Sequence, residues 1–416
     1  MGDMPKPKLY IPRWMTQNLQ DAIKDHPIIV LTGARQVGKS TLLSMAEPFN
    51  EWRYHTLDDF DTLRLSMDYP EDLWAGTDRI AIDEVQKMPQ ILSAVKVAVD
   101  RQPYAMRFAL SGSANLLLMK EVSESLAGRA IYFILRPLTL GEIHRSQPPN
   151  VIEQLIQGNF PDDGLVTKEI PDPINLLLRG FMPPLITLKR HSSWVRWWDG
   201  YVSTYLERDL RQLSQIDNLP DFRRLMELTA LRSGQLLNQS QLARDASLTQ
   251  PTTHRYLNLM EVSYLFERLP QYTKSRSSRL IKAPKSYWTD PALAIFLSGY
   301  HNPSDLRSAR ELGGYFENFI LHHLKVTASL MTPRGKIFCW RTRGKEEVDF
   351  VFEHGRNSLA IEVKLSTHVS YGDANNLRIF LERHPDATAG LLLYSGSKIH
   401  RLGEKIVAVP WSILTG

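Results

Sequence analysis

The sequence predicts an α/β multidomain protein, and three stretches carry that reading. Residues 33–40, GARQVGKS, lie between an apolar run and a helix-forming run. Residues 221–288 hold three short amphipathic segments followed by two strand-like ones. Residues 311–365 read as a helix and then three strands, with acids at fixed places. The expected order is a P-loop parallel sheet with a helical extension (1–215), a winged helix (216–300) and a PD-(D/E)xK nuclease-like α/β domain (301–416).

The first stretch is Gly33-x4-Gly38-Lys39-Ser40. Ile28-Ile29-Val30-Leu31 before it is a buried strand, and Thr41 to Ala46 after it opens a helix. Glycines let such a loop curl so that its N–H groups face phosphate oxygens, and the helix N-terminus favours an anion. The expected ATP contacts are Gly33, Ala34, Arg35, Gln36, Val37, Gly38, Lys39, Ser40 and Thr41. Lys39 would reach the β- and γ-phosphates and Ser40 would hold Mg²⁺.

A second acidic strand belongs beside it, and Arg79-Ile80-Ala81-Ile82-Asp83-Glu84 supplies one. Asp83 would bind Mg²⁺ through water, and Glu84 would polarise the attacking water. Arg107 to Leu110 is another strand, running into small polar residues. Ser113, or failing that Asn115, is expected to sense the γ-phosphate. Arg129, after Gly128, is expected to act as an arginine finger, in cis or from a neighbouring copy in a homo-oligomer.

The order GARQVGKS, Leu57-Asp58-Asp59, IDEVQKMP, LSGS, SLAGRA and LRPLTLGEI resembles the AAA+-superfamily ATPases of bacteria and archaea that carry a C-terminal domain of restriction-endonuclease-like fold. The resemblance spans nearly the whole chain. The Walker motifs are generic to P-loop proteins; the SLAGR and PLTLGE segments are more particular to this group. It implies an AAA+-like ATPase, and a place for Arg208 near the nucleotide or a neighbouring subunit.

Residues 141–220 read as mostly helical, with Trp194, Trp197, Trp198, Tyr201 and Tyr205 on one face of a helix over 193–213. This is core packing. In the next segment, helices over 221–232 and 239–245 precede a third helix. Thr249 caps it, Pro251 stands in its first turn, and it runs to about Val262. That helix would expose His254 and Arg255. Strands over 264–269 and 279–288 follow, and between Arg268 and Lys285 there are six basic residues and no acid. A basic wing beside a polar helix suits phosphate contacts next to a groove-reading helix. The expected DNA contacts are His254, Arg255, Lys274, Arg276, Arg279 and Lys282; docking of a polypeptide is the alternative.

Near the C-terminus, Asp349 stands thirteen residues before Glu362-x-Lys364, with Glu317 on the preceding helix. Period two puts Glu362 and Lys364 on one, solvated side of their strand, opposite Ile361 and Val363. Glu317, Asp349 and Glu362 would share Mg²⁺ or Mn²⁺, and Lys364 would orient the water that attacks a phosphodiester.

Composition bounds the rest. The chain has 416 residues, 43% hydrophobic, a net charge of +5 and one cysteine, Cys339. These figures exclude an internal disulfide and a cysteine-rich zinc site, and they suit a reducing cytoplasm. No apolar run is long enough for a membrane span, and the first residues lack a signal-peptide core. The expected function is ATP hydrolysis with DNA binding and metal-dependent DNA cleavage. The alternative is a nucleotide-switched adaptor or a protein-remodelling ATPase with a non-cleaving C-terminal domain.

Overall fold

The computed structural model describes residues 10–102, 105–112, 126–167, 172–204, 216, 218–273, 275, 279 and 282–416. Ser113, Asn115, Tyr205, Arg208, Lys274 and Arg276 lie outside them. Among the described residues, no helix is long and apolar enough to cross a membrane. The chain divides into two compact units: residues 1–138 with 182–184 and 262–264, and residues 139–181 with 185–261 and 265–416.

The first unit is built on five parallel strands, β1 (Ile28–Thr32), β2 (Arg53–Thr56), β3 (Arg79–Asp83), β4 (Arg107–Ser111) and β5 (Ala130–Ile134), in the order β2-β3-β4-β1-β5. β1 is buried along its whole length, as its unbroken apolar sequence requires in a sheet covered on both faces. Ile28 and Val30 point into one core with Ile80, Ile82, Phe108 and Leu110. Helix α2 (Ile91–Arg101), which follows the short helix α1 (Lys39–Met45), closes that core with Leu92, Val95 and Val99. Each such aliphatic side chain contributes about 1.5–3 kcal/mol through burial. β4 separates β1 from β3, and β1 has β4 on one side and β5 on the other. The chain therefore switches sides at β1, where open α/β sheets present a crevice at their carboxyl ends.

The second unit includes helices α3 (Leu219–Ala230), α4 (Gln239–Asp245) and most of α5 (Gln250–Val262). Thr249 Oγ1 accepts from the Thr252 N–H at 3.2 Å and so caps α5. Phe222 packs edge-on against Tyr256, joining α3 to α5. Antiparallel strands β6 (Phe266–Leu269) and β7 (Lys285–Trp288) follow. Both are shorter than the sequence suggests. Tyr264 has φ 55°, a left-handed turn that delays β6, and ladder pairing of β7 begins at Lys285 opposite Leu269. Upstream, the helix His191–Tyr201 buries Trp198 and Tyr201, as core packing demands.

The C-terminal part runs α6 (Leu312–Leu330), β8 (Lys336–Arg341), β9 (Glu347–His354), β10 (Asn357–Lys364), α7 (Asn375–Arg383), β11 (Ala389–Tyr394), β12 (His400–Gly403) and β13 (Ile406–Pro410). The sheet is mixed, in the order β12-β13-β11-β10-β9-β8, with β8, β9 and β10 antiparallel and β11 parallel to β10. Leu377 and Phe380 of α7 pack on Val351, Ala360 and Leu392. The outer edge of β8 is covered by the chain leaving β6: Cys339 N–H donates to Pro270 O at 3.0 Å, and Tyr272 N–H donates to Cys339 O at 2.6 Å. This pairing occupies the middle of the β8 edge.

Candidate ATP site and a C-terminal acid cluster

The residues expected to handle ATP gather at the carboxyl ends of β1, β3 and β4. The loop after β1 is shaped by its glycines. A Cβ on Gly33 would lie 2.2 Å from the Leu135 carbonyl oxygen, and Gly38 has φ 97°. Arg13 braces the loop from outside, donating to Val37 O at 2.9 Å and Arg136 O at 2.5 Å. Lys39 is buried and donates to Gly33 O and Ala34 O, each at 3.0 Å. Burial pulls its pKa down to about 8, against the opposing pull of Glu84 and Asp83.

Asp83 is 2% exposed, and both its oxygens are held. Tyr54 donates to Oδ2 at 2.9 Å, and Ser111 Oγ hydrogen-bonds to Oδ1. Ser40 also acts on the Tyr54 hydroxyl, opposing the rise in its pKa, so one phenol stands near both residues expected at the metal. Burial first, then Asp83, raises the Tyr54 pKa, which keeps the hydroxyl a donor. Glu84 sits at φ 56° and takes a hydrogen bond from Gln86. Burial, then the Asp83 charge, raises its pKa and makes it more basic than a free carboxylate.

This donor set fits Mg²⁺ and ATP. A buried carboxylate and a serine hydroxyl, oriented by one tyrosine, are oxygen ligands of the kind Mg²⁺ takes. When bound, the ion would neutralise phosphate charge. Ser40 and Asp83 would hold it, Lys39 would exchange its loop carbonyls for phosphate, and Glu84 would accept hydrogen bonding from water. Gln36, exposed at φ 64°, shapes the turn. Arg13, Tyr54 and Ser111 escaped the sequence reading. Ser111 alone had a signal, as the last residue of a strand that ends beside Asp83.

Arg129, expected as a finger in cis or from a neighbouring copy, stands away from its own P-loop. Ala130 pairs with Ile28, at the amino end of β1, whereas the P-loop leaves the carboxyl end. Four strand steps at about 3.3 Å separate the two ends by roughly 13 Å. Arg129 is instead paired with Asp100 of α2, at 2.5 and 3.0 Å. It does not serve its own P-loop in cis.

The basic segment is also divided. Arg279 lies over Tyr272 and Phe338 and pairs through both guanidinium nitrogens with Glu353, at 3.2 and 2.9 Å. It is therefore part of the packing and not a free phosphate contact. His254, Arg255 and Lys282 are exposed; His254 Nε2 lies 3.0 Å from Asn258 Nδ2.

In the C-terminal sheet, Ile361 pairs with Phe350, which brings Glu362 and Asp349 together one step further on. The polar side of β10 is covered, not wet: Glu362 is 4% exposed and Asp349 8%. Glu362 Oε1 accepts from Lys364 at 3.0 Å, while Oε2 is buried with no hydrogen-bond partner among the described residues. Asp349 Oδ2 accepts the Val363 N–H at 2.9 Å. Burial, then Asp349, raises the pKa of Glu317 to about 7 and of Glu362 to about 8.

Lys285 of β7 enters this cluster, its Nζ 3.2 Å from Glu317 Oε2, 2.6 Å from Glu347 Oε1 and 3.6 Å from Asp349 Oδ1. Burial lowers its pKa, but Tyr287, Glu317, Asp349 and Glu347 together hold it well above the ordinary value. Among the described residues, no three His, Cys, Asp or Glu side chains form a group that could hold a metal ion. Glu317, Asp349 and Glu362, expected to share a divalent ion, form no such group; Glu317 and Asp349 are paired with Lys285 and Glu362 with Lys364. Lys285, Glu347 and Tyr287 were missed because the basic run looked solvated.

Residues 25–144 match the AAA domain family, residues 171–304 a domain of unknown function (DUF8612) and residues 312–414 another (DUF4143). The uncharacterized proteins Mb2031c of Mycobacterium bovis and Rv2008c of Mycobacterium tuberculosis are each 30% identical over 393 residues, covering 94% of this chain and 82% of theirs. Among solved structures, the Walker-type ATPase PABY2304 of Pyrococcus abyssi is 16% identical, with 69% of this chain and 96% of that one covered and a TM-score of 0.46. A STAND protein with a tetratricopeptide repeat sensor, PH0952 of Pyrococcus horikoshii, is 12% identical, with 77% and 46% covered and a TM-score of 0.26. The AAA domain agrees with the P-loop geometry and supports ATP binding and hydrolysis. The chain belongs to the family of the two mycobacterial proteins, with an AAA-type P-loop domain toward its N-terminus.

Proposed function

We propose that this protein hydrolyses ATP at Lys39, Ser40, Asp83 and Glu84 and couples turnover to bound DNA. The observation that carries the reading is the Asp83 carboxylate, held by Tyr54 and Ser111 beside the P-loop lysine. Three features support the DNA side. The order of three helices and a hairpin over 219–288 supports a winged-helix reading. His254, Arg255 and Lys282 present cationic or hydrogen-bonding groups to solvent. The order helix, three antiparallel strands, helix, parallel strand over 312–394 agrees with a restriction-endonuclease-like fold. Arg129 completes the reading as a finger supplied to a neighbouring copy.

Phosphate release, measured with and without duplex and forked DNA, tests this. Turnover should be lost in Lys39→Ala and Glu84→Gln, and DNA should raise it in the wild type. Unchanged turnover in both variants would refute the ATPase assignment. Absence of salt-dependent DNA affinity would refute the DNA partner and give the helix–hairpin segment to a polypeptide.

A further inference from the structure

The C-terminal acids already have a cation. We propose that Lys285 is the resident counter-ion of Glu317, Glu347 and Asp349, standing where a divalent ion would stand, so that the cluster fastens β7 to the C-terminal sheet and does not cut a phosphodiester. The comparison with a metal site rests on the nuclease-like reading of this domain; the contacts of Lys285 do not.

Lys285 is 3% exposed, and a buried ammonium needs close anionic partners. Its partners come from two elements: Glu317 from α6, and Glu347 and Asp349 from β9. The second oxygen of two of them is engaged elsewhere. Glu347 Oε2 lies 3.4 Å from Arg341, and Asp349 Oδ2 takes the Val363 N–H. Tyr287, two residues along β7, donates to Glu317 Oε2 at 3.0 Å. With Glu362, the cluster holds four carboxyl groups against Lys285, Arg341 and Lys364.

A divalent ion would need several of these oxygens at about 2.0–2.6 Å. An ammonium between the same oxygens both occupies the space and repels the ion. Nor is Lys285 on a free arm. Its strand pairs with β6, and Trp288 N–H and C=O are both bonded to Asn318 of α6, at 2.8 and 2.6 Å.

The test counts Mn²⁺ bound to nucleotide-free, full-length protein by electron paramagnetic resonance. The wild type and Asp349→Asn should bind the same number. Lys285→Met should gain one ion per chain, and Lys285→Met with Asp349→Asn should lose it again. The proposal is overturned if Asp349→Asn removes an ion from the wild type, or if folded Lys285→Met gains none. It is equally overturned if the wild type nicks plasmid DNA with Mn²⁺ and Lys364→Ala does not. Should Lys285→Met fail to fold, the wild-type comparison and the nicking assay still decide. ATP turnover with DNA, measured on the same samples, reads the proposed function separately from the ion count.

Discussion

Tyr54 donates its hydroxyl hydrogen to Asp83 Oδ2 at 2.9 Å, from the edge strand of the parallel sheet to the strand that bears the carboxylate proposed for Mg²⁺. Ser40 acts on the same hydroxyl. Removing a group that orients metal ligands typically lowers metal affinity or activity by about 10–100-fold. Tyr54→Phe should therefore raise the Mg²⁺ concentration needed for half-maximal ATP turnover by at least about tenfold. Turnover should recover at saturating Mg²⁺, and a magnesium titration of phosphate release checks it.

Arg129 and Lys39 should complement each other between chains. Since Arg129 stands at the amino end of the sheet, it can assist only a neighbouring copy. Arg129→Ala and Lys39→Ala, each inactive at concentrations where the chains assemble, should regain part of the wild-type turnover when mixed. Mixtures that stay inactive would remove the finger. The surface pair with Asp100 contributes at most about 1 kcal/mol, so thermal stability should barely change.

Stability should fall between about pH 6.5 and pH 4 because of His323. It is 1% exposed; Leu140 N–H donates to its Nε2 at 3.1 Å, and Nδ1 lies 2.9 Å from Phe319 O. Burial pulls its pKa down to about 4. The unfolded chain takes up the proton near pH 6.5 and the folded one does not, so the unfolded state gains as pH falls through that window. The full effect is about 3 kcal/mol. Urea denaturation at pH 7 and pH 4.5 should reveal most of it, and His323→Gln should flatten that component.

Two cations of the same segment should behave oppositely. Arg279→Ala removes a half-buried bidentate pair and the cover over Tyr272 and Phe338. It should cost about 2–3 kcal/mol of stability, less than the roughly 3–5 kcal/mol of a fully buried broken pair because this one is partly exposed. Lys282→Ala should leave stability unchanged and reduce the salt dependence of DNA affinity by about one unit of log–log slope. Denaturation curves and DNA titrations at several salt concentrations separate the two.

The P-loop could be read from eight residues because its chemistry is local: the glycines, Lys39 and Ser40 act within one turn. Asp83 and Glu84 were legible for the same reason, as the polar end of an apolar strand. Whether Arg129 could act in cis was not legible, because its distance from the loop is set by the register of β5 on β1, which no local pattern encodes. Arg13 stands twenty residues before the octet, and only the folded loop brings it to Val37. The acids of the C-terminal sheet were legible as a set through period two. What faces them was not, because whether Lys285 meets water or Glu317 depends on how β7 lies against α6 and β9, which come later in the chain. Charge counted along the chain took Lys285 and Arg279 for solvated groups, and tertiary pairing reversed both.

The cover over β8 bears on how this protein can be divided. The residues matched to the last family begin at 312, yet Pro270 and Tyr272 bond to Cys339, and Lys285 bonds to Glu317 and Glu347. A fragment cut at 312 would bare an edge strand and leave a nest of carboxylates without its ammonium. The C-terminal sheet is thus not a portable module, and any recombination that transplants it must carry the hairpin along.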